Sequence, residues 1–141
     1  MIKVPVEDRL EIQALSACYA FFCDTAQYDK IDPLFAADGI FDESILGMPL
    51  TRGRAAIRDL FATTGTTIEF LIHLNCNHRI TEYGGNSASG TTHLHAEGML
   101  AGGNAFRILG YYADDYEKKA GAWLLKHRKL VAIAPLIGFA S

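Results

Sequence analysis

A histidine stands in the middle of an apolar segment, in the sequence FLIHLNCNHRI at residues 70–80. Burial of an imidazole among aliphatic side chains is unfavourable unless a polar group pairs with it. Asp24, within FFCDTAQYD, is a suitable partner for His73, because a carboxylate can orient an imidazole ring. Together the two residue types indicate acid–base chemistry with His73 as the base, and a buried pair with a purely structural role is the alternative.

Tyr19 and Arg128 could complete such a site. Tyr19 precedes Asp24 by five residues, which places it roughly 140° away on a helix that turns about 100° per residue. The two side chains can therefore flank a cavity from two sides of one helix. Arg128, in the last predicted strand, could supply a fixed positive charge. The sequence by itself does not bring these groups together.

A second group of candidate ligands is the row His93, His95 and Glu97 in THLHAEG. Residues two apart share one face of a strand. The row could bind a metal ion, but no further ligand cluster accompanies it. We therefore interpret it as an exposed or interfacial polar row, and we expect no metal site.

The composition excludes several classes of protein. The 141 residues are 50% hydrophobic and 21% charged, with a formal net charge of −3. A globular core is expected, and without a basic stripe nucleic acid is not an expected partner. The N-terminus has no stretch of signal-peptide length, and the longest apolar segment, 130–140, is shorter than the roughly 20 residues that span a bilayer. We expect a soluble cytoplasmic protein without a membrane segment, its three cysteines reduced.

The first half of the chain has helical patterns. Residues 7–25 have an apolar stripe typical of an amphipathic helix, formed by Leu10, Ala14, Ala17, Cys18 and Phe21 and widened by Leu15, Tyr19 and Phe22. YDKIDPLFAADG predicts a short helix that is interrupted near Pro33 and ends at Gly39. IFDES predicts a short strand, GMPLTRG a turn around a brief extended piece, and Arg54 to Ala62 a third helix.

The second half predicts an antiparallel sheet. Turn sequences YGGN, AGGN and KKAGA separate segments rich in β-branched, aromatic and small residues. The four predicted strands are residues 69–82, 88–101, 105–118 and 122–133. Helices followed by a meander predict an α+β domain with helices on one face of the sheet, and the glycines within the strands allow the sheet to curl into a half-barrel.

The strand that contains His73 has two different faces. Its odd positions mix leucine with polar groups, and they are Leu71, His73, Asn75, Asn77 and Arg79. Its even positions are almost wholly apolar, and they are Phe70, Ile72, Leu74, Cys76, His78 and Ile80. We expect the mixed face to look into a cavity under the first helix and the apolar face to meet core elements or another subunit. A homo-oligomer, dimeric or trimeric, is therefore predicted.

The order of several segments resembles the SnoaL-like group of the nuclear-transport-factor-2-like superfamily over about residues 6–133. These segments are DRLEIQAL, CDTAQYDKIDPLFAADGIFD, RGRAAI, IHLNCNHRI and YYADDYEKKAGAWLLKHR. The resemblance implies a cone-shaped half-barrel of cystatin-like type, in which a curved antiparallel or mixed sheet wraps around about three N-terminal helices and encloses a deep apolar pocket. Residues 1–141 would then form one domain, with 134–141 as its C-terminal tail.

The resemblance also implies site residues. In the eliminating enzymes of this group, scytalone dehydratase, bile acid 7α-dehydratase and hexachlorocyclohexane dehydrochlorinase, an Asp–His pair falls on Asp24 and His73. A tyrosine of the bile acid enzyme falls on Tyr19, where the dehydrochlorinase has a lysine. An arginine and a tryptophan of the dehydrochlorinase correspond to Arg128 and Phe41.

The function implied is a cofactor-independent lyase that removes water from a hydrophobic cyclic or polycyclic hydroxy or keto compound. His73 would be the base and Asp24 its orienting carboxylate, since the unperturbed pKa of histidine is about 6.5. Tyr19 would donate to the leaving hydroxyl or to an enolate oxygen, and Arg128 or Asn75 would bind the carbonyl. Elimination has no redox step, so no cofactor is required.

Two alternatives remain open. An isomerase or a polyketide-cyclase-like enzyme of the same fold would return the proton to another carbon without loss of water. A small-molecule binding domain would use Asp24 and His73 only as a structural pair, because the fold alone does not decide function.

Overall fold

Two helices and six strands form the part of the chain that this computed structural model describes, residues 1–139. The helices are α1 (Val6–Asp24) and α2 (Arg54–Thr67). The strands are β1 (Phe35–Asp42), β2 (Thr51–Arg52), β3 (Ile68–Tyr83), β4 (Ser87–Leu100), β5 (Ala105–Lys119) and β6 (Ala122–Ala132). Single 3₁₀ turns occupy Tyr28–Lys30, Asp32–Leu34 and Ser44–Leu46.

The strands form one curved, mixed sheet in the order β2-β1-β6-β5-β4-β3. Strands β3 to β6 are an antiparallel meander, as the alternating pattern and the glycine-containing turns predict. Strand β1 returns to pair in parallel with β6, and β2 pairs with β1. The sheet is not closed into a barrel, so the predicted α+β half-barrel is confirmed.

Gly98 in β4 shows how small residues let this sheet curve. A Cβ atom at this position would lie 2.6 Å from the ring of Phe106 and still closer to the carbonyl oxygen of Phe70. Any side chain would push the neighbouring strands apart, so glycine is needed at this close approach.

Helix α1 packs on the concave side of the sheet through a face that differs from the stripe predicted for it. Its buried apolar residues are Ile12, Leu15, Tyr19, Ala20 and Cys23. Leu10 and Phe21 are 59% and 58% exposed, so their place in the predicted stripe was wrong. Because the helix is apolar around most of its circumference, hydrophobicity did not fix which side meets the sheet.

The segment around Pro33 is not the predicted helix. Two 3₁₀ turns precede β1, which begins at Phe35, so the expectation of a helix that ends at Gly39 was wrong for residues 35–39. Phe35 is paired with Leu125 of β6. Pairing with an existing strand satisfies backbone groups of this segment, which an isolated helical turn cannot do as well.

Helix α2 extends five residues beyond the predicted end at Ala62. The hydroxyl groups of its last turn donate hydrogen bonds to carbonyl groups three or four residues earlier in the helix, and they belong to Thr63, Thr64, Thr66 and Thr67. These local bonds satisfy a sequence, TTGTT, that has low helix propensity. Within residues 1–139, neither helix has the length and apolar character that crossing a membrane requires.

Strand β3 changes face at a bulge. Up to Cys76 its odd positions face the interior, as predicted, but Asn77 has a φ of 52° and the register with β4 shifts there. Beyond the bulge His78 and Ile80 turn inward, and Nε2 of His78 lies 3.1 Å from the hydroxyl of Tyr116. The strict alternation predicted along the strand was therefore wrong after residue 76, because an extra residue reverses the two faces.

The outer face of the sheet remains open in the part of the chain that the structure describes. Phe70, Ile72 and Leu74 are 55%, 51% and 57% exposed, so core elements do not cover the apolar face of β3. The row of His93 and His95 is on the same outer side, where His95 contacts Glu97 at 3.2 Å. No group of three potential metal ligands occurs within the described chain.

Asp8, in the first turn of α1, connects that helix to the sheet. Its carboxylate accepts hydrogen bonds from Tyr83 (2.5 Å), Lys118 (2.9 Å) and Trp123 (2.8 Å). Trp123 is buried at the start of β6. Hydrogen bonds from Trp123, Tyr83 and Lys118 lower the pKa of Asp8 to about 2.

The segment after β6 folds back onto β5. The backbone of Ile137 exchanges two hydrogen bonds with that of Arg107, at 3.0 and 3.2 Å. Phe139 then packs against Phe106, with 5.3 Å between ring centroids.

Candidate active site

His73 and Asp24 meet between β3 and the last turn of α1. One carboxylate oxygen of Asp24 accepts the backbone N–H of His73 at 2.8 Å, and the other lies 2.7 Å from Nδ1 of its ring. The histidine side chain is 6% exposed. A carboxylate at Nδ1 favours the tautomer with the proton on that nitrogen, which leaves Nε2 as the acceptor.

Tyr19 and Tyr112 stand beside this pair. The ring of Tyr19 is 5.7 Å from the imidazole of His73, edge to face, and 5.8 Å from the ring of Tyr112. Burial raises the pKa of each tyrosine hydroxyl well above its usual value. Both hydroxyls therefore stay protonated and can donate hydrogen bonds.

These groups face a cavity of about 410 Å³ between α1, α2 and the concave side of the sheet. Most of its wall is apolar, including Phe41, Leu60, Phe61, Leu71 and Ile108. Its polar groups are few, and they include His73, Tyr19, Tyr112 and Glu43. Small-molecule sites have this size and this ratio of apolar to polar lining.

Glu43, which follows β1, is a site residue that the sequence reasoning missed. It lines the cavity, and burial raises the pKa of its carboxyl to about 7, with the positive charge of Arg128 opposing that rise. The signal for it was present, because alternation along IFDES places residue 43 on the same face as Phe41. Phe41 itself lines the cavity as expected, 6.2 Å from Tyr19 between ring centroids.

Arg128 is completely buried behind the cavity wall. Its Nε and Nη2 donate to Asp114 at 2.9 and 2.8 Å, and Nη2 also donates to Ser16 at 2.6 Å. The guanidinium lies 4.6 Å from the ring centre of Tyr19 and 4.1 Å from that of Tyr112. Burial alone would lower the pKa of Arg128, but the charge of Asp114 outweighs it and keeps the group protonated.

Asn75 is also directed at protein groups, since its amide donates to the carbonyl of Ser16 at 3.2 Å. Within residues 1–139, neither Asn75 nor Arg128 belongs to the cavity wall. Direct binding of a substrate carbonyl by either side chain, as expected from the sequence, does not match this placement. The structure thus brings His73, Tyr19 and Phe41 to the wall of one cavity, with Asp24 bound to His73 and the charge of Arg128 behind the tyrosines.

Comparisons with known proteins agree with this architecture. The family model of the SnoaL-like domain matches residues 4–129. A proposed aromatic ring hydroxylase from Novosphingobium aromaticivorans is 29% identical, with a TM-score of 0.91 and 96% of each chain covered.

Two further solved structures share the fold at lower identity. A proposed scytalone dehydratase from the same species is 19% identical, with a TM-score of 0.85 over 96% of this chain and 90% of the other. A hexachlorocyclohexane dehydrochlorinase from Novosphingobium barchaimii is 19% identical, with a TM-score of 0.83 over 96% and 92%. A search of curated proteins finds no match.

The predicted resemblance is therefore confirmed by the match to the family model as well as by the fold of the molecule. Because the matched region, residues 4–129, contains both α1 and the whole meander except the end of β6, the chain belongs to the SnoaL-like domain family.

Proposed function

We propose that this protein is a cofactor-independent lyase that eliminates water from a hydrophobic cyclic or polycyclic compound with hydroxy and keto groups. The observation that carries the proposal is His73, bound to Asp24, on the wall of an apolar cavity of about 410 Å³. A buried base with an oriented ring, beside a space for a ligand, is the arrangement that proton abstraction from carbon requires.

In the proposed reaction, Nε2 of His73 takes a proton from the carbon next to the substrate carbonyl. Asp24 holds Nδ1 and stabilises the imidazolium that forms, as its two hydrogen bonds to His73 allow. The hydroxyl of Tyr19 donates to the carbonyl oxygen as negative charge develops there. Arg128 acts through the tyrosine rings on which it is stacked, so its charge favours the anionic transition state without contact.

The names of the related structures support a ring-shaped substrate. One is a proposed aromatic ring hydroxylase and another acts on a chlorinated cyclohexane, according to their names. A cavity with several aromatic side chains in its wall, such as Phe41, Phe61 and Phe106, also suits a flat apolar ring.

The direct test is the pair of variants His73→Ala and Asp24→Asn, with His95→Ala as a matched control on the outer face. Loss of the base should lower the turnover of a substrate that the wild type dehydrates roughly 10²–10⁴-fold. Loss of the orienting carboxylate should lower this turnover by a similar factor. The control should keep wild-type turnover. Full activity of His73→Ala would refute the role of the base.

Product mass separates the proposed lyase from an isomerase or a cyclase of the same fold. Elimination lowers the mass of the product by one water, whereas isomerisation leaves it unchanged. Binding of ring compounds without any conversion would instead support a non-catalytic binding domain.

We also propose that the open face of β3 meets a second copy of the chain. Phe70, Ile72 and Leu74 form a row of half-exposed apolar side chains on the outermost strand of the sheet. Such a row is unfavourable in water and typical of an interface. The variant Leu74→Asp should reduce the mass measured by light scattering to that of a monomer, with Leu10→Asp, at a similarly exposed leucine of α1, as the control. A monomeric wild-type protein would refute this assignment.

A further inference from the structure

Glu43 is an acid in the cavity that the mechanism above does not use. Its carboxyl lines the same space as His73, but it comes from the end of β1 and not from the strand that carries the base. Within residues 1–139 it forms no ion pair and no side-chain hydrogen bond. An unpaired carboxyl in an apolar cavity is costly when ionised, which favours its neutral form.

The surroundings of Glu43 keep it close to the balance between the two forms. Four titratable or charged groups interact electrostatically with Glu43. They come from helix α1 and from strands β5 and β6, and they are Tyr19, Cys23, Tyr112 and Arg128. Three of them are neutral groups, and the one cation is held by Asp114. Burial therefore dominates and raises the pKa of Glu43 to about 7.

The other candidates for an acid in this cavity are less suitable. Asp24 is bound to His73 and serves the base. Tyr19 and Tyr112 hold their protons more strongly than a free tyrosine does, because burial raises the pKa of both. Departure of hydroxide from carbon needs an acid whose proton is available near neutral pH.

We propose that Glu43 is the general acid of this site and gives its proton to the departing hydroxyl group while His73 takes the proton from carbon. The inference rests on the proposed elimination. It adds that the substrate carries a poor leaving group, such as hydroxide, which needs a proton to depart. It also leaves Tyr19 free for the carbonyl oxygen.

The step balances in protons and electrons. The C–H bond breaks and its proton moves to Nε2 of His73, while its electron pair becomes the new carbon–carbon double bond. The C–O bond breaks with its electron pair on oxygen, and the proton of Glu43 completes a water molecule. The imidazolium and the carboxylate that remain return to their starting forms by transfer of one proton from His73 to Glu43 through solvent.

The test compares two probes that give the same cyclohexenone, a β-hydroxy cyclohexanone and the matching β-chloro cyclohexanone, after subtraction of the uncatalysed rate. Chloride leaves without a proton, so only the hydroxy compound needs the acid. In Glu43→Gln, turnover of the hydroxy probe should fall roughly 10²–10⁴-fold and turnover of the chloro probe only several-fold. His73→Ala should lower both, and the exposed control Glu97→Gln should lower neither. Equal losses for both probes in Glu43→Gln, or no loss, would overturn the proposal.

A second measurement does not depend on activity. Carbon NMR of protein labelled at glutamate carboxyl groups should show one carboxyl that titrates near pH 7 in the wild type and is missing in Glu43→Gln. Titration of Glu43 together with exposed glutamates, near their usual pKa of about 4.3, would overturn the proposal. Wild-type protein that eliminates from neither probe while Glu43 still titrates near 7 would instead refute the proposed lyase function, and the assigned leaving group with it.

Discussion

The two ends of helix α1 use carboxyl groups in opposite ways. At its first turn Asp8 accepts three side-chain hydrogen bonds, and the positive end of the helix dipole favours its negative charge. At its last turn Asp24 stands at the negative end, where no basic residue offsets it, and its side-chain partner there is His73. A carboxylate placed against the dipole is poor for stability, so we interpret its position as a requirement of the site.

Asp114 and Glu43 also differ in whether their carboxyl groups have partners. Asp114 is buried with Arg128 and also accepts a hydrogen bond from Tyr116 at 3.0 Å, so its charge is balanced. Among the described residues 1–139, Glu43 has no such partner, and it faces the cavity. Buried polar groups with all their partners hold the fold together, whereas those without partners are free to react with a ligand.

Replacement of a carboxyl by an amide should therefore have opposite effects at the two kinds of position. The largest effect is expected for Asp114→Asn, which leaves the buried charge of Arg128 without a counter-ion and should cost about 3–5 kcal/mol in the free energy of unfolding. Asp115→Asn is the matched control, because Asp115 is the next residue in the strand but is exposed, and it should change stability by no more than about 0.5 kcal/mol. Urea denaturation measures both, and similar values for the two variants would contradict the contrast.

A smaller and opposite effect is expected for Glu43→Gln. Because the pKa of Glu43 is raised from 4.5 to about 7 in the folded protein, the wild type loses stability as the pH rises from 4.5 to about 7 and stays at that lower stability above 7. The variant should be more stable than the wild type by roughly 1–3 kcal/mol at about pH 8 and should lose this gain as the pH falls to about 4, below the unfolded pKa. A gain that does not depend on pH would contradict the assigned cause.

The smallest effect concerns Asp8 and is confined to acid. Its pKa is lowered from 3.8 to about 2, so the stability that its ionised form contributes is present above 3.8 and is lost as the pH falls towards 2. In the variant Asp8→Asn this part of the acid-induced loss of stability should be missing. The control variant Glu7→Gln, at an exposed neighbouring residue, should still show it. Acid titration followed by circular dichroism measures how steeply the stability of each protein falls with pH.

Features that depend on local pattern were predictable from the sequence. Alternation and glycine turns located the four long strands, and a histidine in an apolar strand with an aspartate at a helix end located the pair His73 and Asp24. Features that depend on which segments of the chain contact each other were not predictable from the sequence. The ion pair of Asp114 with Arg128 requires the register of β5 against β6, and the bulge at Asn77 depends on the fit of β3 to its neighbour.

The face of α1 that packs inward was also hidden, for a related reason. A helix with apolar residues on nearly every side gives no preference by hydrophobicity alone, and the sheet selects the side that carries Tyr19. Glu43 was overlooked because a charged residue in a turn is ordinarily exposed. The structure instead places it in the wall of the cavity.

The segment after β6 has a consequence for the range of ligands that this protein can accept. Phe139 forms part of the cavity wall, and its segment is held to β5 by backbone hydrogen bonds of Ile133 and Ala134 with Leu109 and of Ile137 with Arg107. A relative with other residues at this end of the chain can thus take up guests of another length or width and keep the Asp24–His73 pair, because the tail that lines the cavity and the strand that carries His73 are separate parts of the sequence.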